Sequence, residues 1–325
     1  LLDSDTEPQT VITNVRQLIA GTPRDLVLYQ IGMPLVSEAL VKFTANDFVR
    51  LPPLTFLIIA LILLGLLRKL RYILIPLTCV GFALVWTFGL MALLRIPLSM
   101  LTMIVPIFLI AVGTAYCLHI VSEYIACSQK TNSAQDATYA TFSYIAFPTF
   151  LAVLTTIVGL GSLLVNRITM IQEFAVFSCF GMLSILWIAL TFLPAVLSRL
   201  QLPSKRHMHK IGTPAFFQRY IKFIIDLNLK YQKFTLPIIG VLVIICIVGI
   251  FRIRVETNPV GYLKDDTQVK RNFHDIYQHL SGSFPINVVM RGPEADYFEN
   301  PGHLADIARL QEFLETLPGV DKTLS

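Results

Sequence analysis

The chain has 325 residues, of which 54% are hydrophobic and only 14% are charged, and its formal net charge is +5. Together with a mean hydropathy of +0.66, this composition excludes an ordinary soluble domain and indicates a protein that crosses the membrane several times. The five cysteines all lie in or beside apolar stretches, which argues against a disulfide framework and a CxxC metal site. Because the chain opens with neither an initiator Met nor a signal segment, we expect an interior part of a longer protein.

Residues 1–50 have the composition of a soluble segment. Apolar residues recur at helical spacing over positions 11–19, LVLYQI at 26–31 predicts a strand, and 34–50 predicts a second helix that leads to the membrane. We interpret this mixture as the end of an extracytoplasmic α+β domain of the ferredoxin-like type.

Six apolar stretches follow. Each is long enough to cross the membrane as a helix when the first is counted together with its flanking residues. A hydrocarbon core of about 30 Å requires about 20 helical residues at about 1.5 Å per residue. The first five stretches form one transmembrane unit over residues 51–200, and the sixth occupies 234–252. The predicted spans are 53–67, 72–94, 97–125, 142–165, 174–197 and 234–251.

Basic residues in the connecting loops predict the orientation of these spans, because cytoplasmic loops carry an excess of Lys and Arg. One side collects nearly all of them, whereas the short loops of the other hold only Arg95 and Arg167. We therefore expect a multi-pass protein of the inner (cytoplasmic) membrane, with residues 1–50 and 253–325 outside. The basic residues of the cytoplasmic loops account for the positive net charge of the chain, so this charge does not indicate a nucleic-acid partner. The residues on the basic side are Arg68, Lys69, Arg71, Lys130, Arg199, Lys205, Arg206, Lys210, Arg219, Lys222, Lys230 and Lys233.

Residues 201–233 form a basic connector between the fifth and sixth spans. In its second half, apolar residues recur at helical spacing and basic residues lie between them. This pattern predicts a helix lying in the cytoplasmic membrane interface. The same connector contains His207 and His209. A metal site and a plain polar loop both fit this pair, and the absence of neighbouring Cys or acidic residues favours the loop. No metal or other cofactor is indicated elsewhere.

Residues 253–325 are again soluble in composition. The pattern predicts a helix after Asp266, a strand over 285–290 and a helix over 302–317. This order indicates the start of a second extracytoplasmic domain of α/β type.

The third predicted span carries a polar face. At about 100° per residue, Tyr116, His119, Ser122 and Glu123 fall within roughly 120° of arc measured from Ala115. Titratable groups inside a membrane normally face protein or water, because facing lipid is costly. His119, Tyr116 and Glu123 are therefore candidate residues of a proton relay or transport path. The alternative is a helix end whose polar groups reach the interface.

Three stretches carry a resemblance to the resistance-nodulation-division (RND) superfamily. IPLTCVGFALVWTFGLMALLRIPLSMLTMIVPIFLIAVG at 75–113, FPTFLAVLTTIVGLGSLL at 147–164 and MIQEFAVFSCFGMLSILWIALTFLPAVL at 170–197 resemble the family's third to sixth spans. The chain is similar to exporters related to the mycobacterial large membrane proteins (MMPL) and the hopanoid transporters, and more distantly to the Patched and Niemann-Pick sterol-sensing proteins.

The resemblance implies a twelve-span protein of two repeats, of which the spans here are the second to seventh. Residues 51–200 match the five-helix unit called the sterol-sensing domain in the eukaryotic relatives. Such proteins move lipids or other hydrophobic molecules outward and use protons as the coupling ion. The expected partners are therefore hydrophobic or lipid cargo and membrane lipids, and a homo-oligomer, either a dimer or a trimer, fits the family.

One position departs from the family pattern. Where the family's fourth span usually carries an Asp before the conserved Tyr, this chain has Ala115 before Tyr116. Because Ala cannot titrate, the usual relay cannot pass through residue 115. Three alternatives stay open: His119 and Glu123 replace the carboxylate, an absent second half carries the essential carboxylate, or this half is uncoupled.

Two threonines of the next span offer polar contacts between helices. Thr155 and Thr156 lie in the family's Thr-Thr-x-x-Gly core. Each can bond across to the third predicted span of this chain, which corresponds to the family's fourth, or back to its own backbone.

Three classes of function follow from these observations. The leading expectation is an exporter driven by the proton-motive force that carries lipids or other hydrophobic molecules. The second is a lipid or sterol sensor or scaffold that does not transport. An enzyme is not expected, because the sequence contains no HExxH, GxSxG, P-loop or intramembrane Asp pair.

Overall fold

A computed structural model describes residues 8–20, 30–67, 69–202, 215–253, 258–279 and 297–317, together with positions 288, 290, 291 and 323. These residues are almost entirely helical. The α-helices are α1 (Pro8–Ala20), α2 (Met33–Leu67), α3 (Leu70–Leu93), α4 (Ile104–Cys127), α5 (Ala134–Gly161), α6 (Thr169–Leu197), α7 (Ala215–Lys230), α8 (Gln232–Ile250), α9 (Gln268–His279) and α10 (Pro301–Glu315), and 3₁₀ turns cover Ser162–Val165, Pro259–Tyr262 and Tyr297–Glu299.

Six of the helices are long and apolar enough to cross a membrane, counted over the described residues. They are α2 to α6 and α8, in the order that the hydropathy pattern predicts. The sequence expectation of a multi-pass membrane protein with six spans is confirmed.

Residue contacts divide the chain into two compact units. One unit is Phe43–Ile253, which contains the membrane-spanning segments, and the other combines Leu1–Lys42 with Arg254–Ser325. The boundary between the units therefore falls within α2, which is one helix of 35 residues.

The core of the membrane unit is a bundle of α3, α4, α5 and α6. Helix α4 packs against all three of the others, and α6 also packs against α3 and α5. Large side chains fill the interior without exposure to solvent, including Tyr72, Tyr124, Phe177 and Leu109. Helix α8, by contrast, contains no buried residue. The bundle therefore provides the rigid scaffold that positions the candidate residues of α4 and α5.

Two predicted boundaries change because of local hydrogen bonds. The third span was expected from residue 97, but α4 begins at Ile104, because Ser99 and Thr102 close a turn in which the Ser99 N–H donates to Thr102 Oγ1 at 2.7 Å. The fourth span was expected from residue 142, but α5 begins at Ala134. Ser133 caps that helix by accepting from the Asp136 N–H at 3.0 Å.

The helix predicted over 34–50 and the span predicted over 53–67 are parts of one continuous helix, α2. Helix α2 continues through Pro52 and Pro53, although neither proline can donate a backbone hydrogen bond. The Thr55 hydroxyl donates to Leu51 O at 2.9 Å in the same turn. The two prolines leave the carbonyls of Phe48 and Val49 without their usual helical donors, so the bond from Thr55 to Leu51 O is an additional bond beside the interruption and does not replace a lost one.

The described residues contain no strand, so the α+β (ferredoxin-like) character expected for the flanking segments is not supported. Most of the strand predicted over 26–31 and of that over 285–290 lies outside the described residues. The described positions Gln30, Ile31, Val288 and Met290 belong to no strand. A strand requires a hydrogen-bonded partner strand, and the described part of the chain provides none.

The unit formed by the two ends of the chain has a small apolar cluster of its own. Val36, Val260, Leu263 and Phe273 are buried together, and Arg16 pairs with Glu38 at 3.2 Å. The predicted helix after Asp266 and the predicted helix over 302–317 are present as α9 and α10. Asn300 caps α10 by accepting from the Gly302 N–H at 2.9 Å.

Candidate functional site

The predicted polar arc of α4 divides between two environments. Ala115, His119 and Ser122 are exposed, whereas Tyr116 and Glu123 are half-buried. The residues between them, including Cys117 and Ile120, have no solvent exposure and face the bundle core. Helix α4 therefore presents one open face, on which His119 is the titratable group.

His119 stands alone on this face. No hydrogen bond or ion pair joins it to any residue in the described part of the chain, and it forms no ion pair with Glu123 one turn further on. The imidazole is therefore accessible to water or to another polypeptide segment.

Glu123 has a local partner on its own helix. The Cys127 thiol lies 3.7 Å from Glu123 Oε1 and donates to it, and Cys127 is itself buried. This weak contact holds the carboxylate toward the end of α4. His119 and Glu123 are neighbours on the helix without a direct bond between them.

Tyr116 links α4 to α5. Its hydroxyl lies 3.3 Å from Ala152 O and 3.2 Å from Thr156 Oγ1. The Thr156 hydroxyl donates to Ala152 O at 2.8 Å, so its oxygen can accept from Tyr116. Three groups on two helices therefore form one small polar network in the bilayer region, next to Ala115.

The two threonines resolve the alternatives left open by the sequence. Thr155 is exposed and its hydroxyl donates to Ala152 O, on its own helix, at 2.9 Å. Thr156 makes the same type of local bond and also meets Tyr116. The contact between helices thus uses Thr156, whereas within the described part of the chain Thr155 bonds only to its own helix backbone.

The bundle also contains buried hydroxyl groups that the sequence pattern did not single out. Among the described residues, Tyr72 Oη, Tyr124 Oη, Thr114 Oγ1 and Ser178 Oγ are buried and have no hydrogen-bond partner. Unpaired buried polar groups are costly and are commonly satisfied by internal water. Only the packing of α3, α4 and α6 reveals them, because each residue alone is ordinary in an apolar helix.

An apolar groove of about 510 Å³ lies along α3, α5 and α6. The two tryptophans of the chain, Trp86 and Trp187, both line it. The hydroxyl groups in the groove, on Ser184 and Thr191, donate to their own helix backbone at 2.9 and 2.6 Å, so the groove offers hydrocarbon contacts rather than hydrogen bonds. The lining residues are Trp86, Phe150, Phe180, Leu183, Ser184, Leu186, Trp187, Leu190 and Thr191. The sequence did not predict this groove, because it depends on how three helices meet.

Metal-binding chemistry has no candidate cluster in the part of the chain that the structure describes. Those residues contain no group of three or more His, Cys, Asp or Glu side chains that could hold a metal ion. The predicted alternative at His207 and His209 lies outside the described residues.

The six apolar helices and the four-helix core define a polytopic α-helical membrane protein. The chain belongs to the MMPL family, because the sequence profile of that family matches residues 2–224, well over half of the chain. The match includes α2 to α6 and therefore both the open face of α4 and the network around Tyr116. It supports the assignment to the RND superfamily made from the sequence. A comparison with curated proteins gives no match.

Proposed function

We propose that this chain belongs to a secondary transporter that exports lipids or other hydrophobic molecules and is driven by the proton-motive force. Membership of the MMPL family supports transport, and the sequence resemblance supports an apolar cargo. We further propose that the protein lies in the cytoplasmic membrane, with residues 1–50 and 253–325 on the extracytoplasmic side.

The observation that carries the proposal is the position of His119. It lies in a predicted span, on the open face of α4, without a partner among the described residues. A titratable side chain in a membrane span normally faces a water-filled path or another protein segment. Histidine exchanges its proton near neutral pH, so this residue can carry protons in place of a carboxylate at position 115.

Transport by the protein in proteoliposomes under an imposed pH gradient tests this proposal. The comparison uses wild type, His119→Ala and Glu123→Gln, with Ser122→Ala as a matched control on the same exposed face. We expect His119→Ala to abolish the response of cargo movement to the gradient and Ser122→Ala to preserve it. If all variants respond as wild type does, coupling does not use α4.

A second candidate function is a lipid sensor or scaffold that binds lipid without transporting it. Two observations favour it: Ala115 cannot titrate, and the groove beside Trp86 and Trp187 offers an apolar site of about 510 Å³. Lipid binding that is lost in Trp187→Ala, in a protein that shows no gradient-driven transport, would support this function over export. Transport that survives Trp187→Ala would favour export.

A further inference from the structure

Helix α7 exposes an unusual amount of apolar surface for a helix outside the six spans. Six of its large side chains are 40–66% exposed, and its principal contact with another described helix is the junction with α8. The chain enters α8, a membrane span, directly after Tyr231. The exposed residues are Tyr220, Ile221, Phe223, Ile225, Leu227 and Leu229.

The charged residues of α7 are concentrated on one side, and three of the four are basic. At about 100° per residue, Arg219, Lys222, Asp226 and Lys230 fall within roughly 80° of arc. All four side chains are exposed, and none takes part in an ion pair within the described part of the chain, although Asp226 lies one turn from both lysines. The basic groups are therefore free to bind an external anion.

The side of α7 that carries Arg219, Lys222, Asp226 and Lys230 is called here the basic edge. It ends at the start of a membrane span. Lys230 Nζ lies 5.4 Å from the centroid of the Tyr231 ring, and Lys233 follows in the first turn of α8. Lys and Arg beside a span, on a helix with an apolar face, match the charge of phospholipid phosphates at the membrane surface. A single phospholipid has a part that suits each side of α7: its acyl chains suit the apolar side chains, and its headgroup suits the basic edge.

We propose that α7 is a binding site for anionic phospholipids. Its apolar side chains insert among acyl chains, while Arg219, Lys222 and Lys230 bind the phosphate groups. Charge complementarity selects this occupant, because an apolar partner would leave three cations unpaired and a soluble anion would leave the apolar face in water. Helix α7 is a different part of the chain from the helix that carries His119, and lipid binding there does not depend on proton-driven transport.

The test counts lipids bound to the intact chain in detergent by native mass spectrometry. The chain is titrated with phosphatidylglycerol or with phosphatidylcholine of the same acyl chains. The test variant carries Arg219→Gln, Lys222→Gln and Lys230→Gln. The control variant carries Lys264→Gln, Arg291→Gln and Arg309→Gln, which remove the same charge from the other unit.

We expect wild type to bind phosphatidylglycerol more tightly than phosphatidylcholine. Affinity for phosphatidylglycerol should fall about fivefold for each α7 charge removed, whereas the control variant should stay within about twofold of wild type. Asp226→Asn, which removes the one acid from the basic edge, should raise the affinity. Circular dichroism of each variant checks that the helices remain folded.

Three results would overturn the proposal. The first is equal affinity of wild type for the two lipids, and the second is an equal loss in the test and control variants, which would indicate a general charge effect. The third is complete displacement of phosphatidylglycerol by inorganic phosphate, which would assign the basic edge to a soluble anion.

Discussion

Leu109 on α4 lies directly against Gly181 on α6. A methyl group built on Gly181 would fall 2.4 Å from Leu109 Cδ1 and 3.1 Å from its Cγ. The contact is reciprocal, because a methyl group on Gly113 of α4 would fall 2.6 Å from Ile185 Cδ1 on α6. Each helix therefore offers a glycine to a large residue of the other, which permits the close approach typical of membrane helices.

We predict that Gly181→Ala lowers the free energy of unfolding by about 1–3 kcal/mol, the usual cost of overpacking a core. Leu109 is fully buried, so its side chain cannot move into open space. Gly89→Ala in α3 is the matched control, because no atom lies within 4 Å of the added methyl group. Thermal unfolding in detergent should show no loss for the control. Equal stability of the two variants would contradict the close α4–α6 contact.

The network around Tyr116 yields a second prediction. Tyr116→Phe removes the hydroxyl that meets Ala152 O and Thr156 Oγ1, and we expect a loss of about 0.5–1.5 kcal/mol. Thr156→Val should show a coupling energy with Tyr116→Phe of about 0.6 kcal/mol, the average for such bonds in a membrane. Both values come from thermal unfolding of the single and double variants.

Thr155→Val is the control for this cycle. Among the residues that the structure describes, its hydroxyl bonds only to its own helix backbone, so its effect should add to that of Tyr116→Phe without coupling. A coupling energy as large for Thr155 as for Thr156 would contradict the observed geometry.

The spans were predictable from the sequence because hydropathy depends on local composition, and an uninterrupted apolar stretch of about 20 residues is typical of a membrane span. The relation between Leu109 and Gly181 was not predictable, since it depends on the register between two helices. The polar arc was partly predictable. Periodicity placed Tyr116 and His119 on one side of α4, but only the packing shows that Tyr116 turns to α5 while His119 stays on the open face.

Some local signals were present in the sequence and were missed. Ser133 and Asp136 have the spacing of a helix N-cap with an acidic third residue, and they explain why α5 begins before its apolar stretch. Pro52 and Pro53 lie between the helix predicted over 34–50 and the span predicted over 53–67, but α2 runs through both prolines. Prolines are better tolerated in membrane helices, where side chains and neighbouring helices satisfy the freed carbonyls.

The capping residue supports a third prediction. Ser133→Ala removes both the bond accepted from the Asp136 N–H and the bond of 2.6 Å donated to Asp136 Oδ2. We expect a loss of about 1 kcal/mol in the free energy of unfolding. Ser143→Ala serves as the control, since that exposed hydroxyl only donates to Tyr139 O within α5. A loss as large in the control would indicate a general effect of removing serine hydroxyls from this helix.

The last prediction concerns the pH dependence of the unit formed by the two ends of the chain. Lys270 Nζ lies 2.8 Å from Asp265 Oδ1, and its hydrogen bond and charge lower the pKa of that carboxyl below its ordinary value. A carboxyl whose pKa is lower in the folded state stabilises the fold above its unfolded pKa, which is about 3.9 for Asp. This contribution is lost as the pH falls through the folded pKa.

Asp265→Asn should therefore reduce stability slightly near neutral pH and have no effect at a pH below the folded pKa of Asp265. Thermal unfolding of wild type and variant from neutral to acidic pH measures this difference. The effect is small because Asp265 is 96% exposed and solvent screens the pair. Asp266→Asn is the control, since its carboxylate forms no ion pair among the described residues, and its difference from wild type should not follow the same pH dependence. A difference for Asp265→Asn that grows as the pH falls would contradict the sign of the pKa shift.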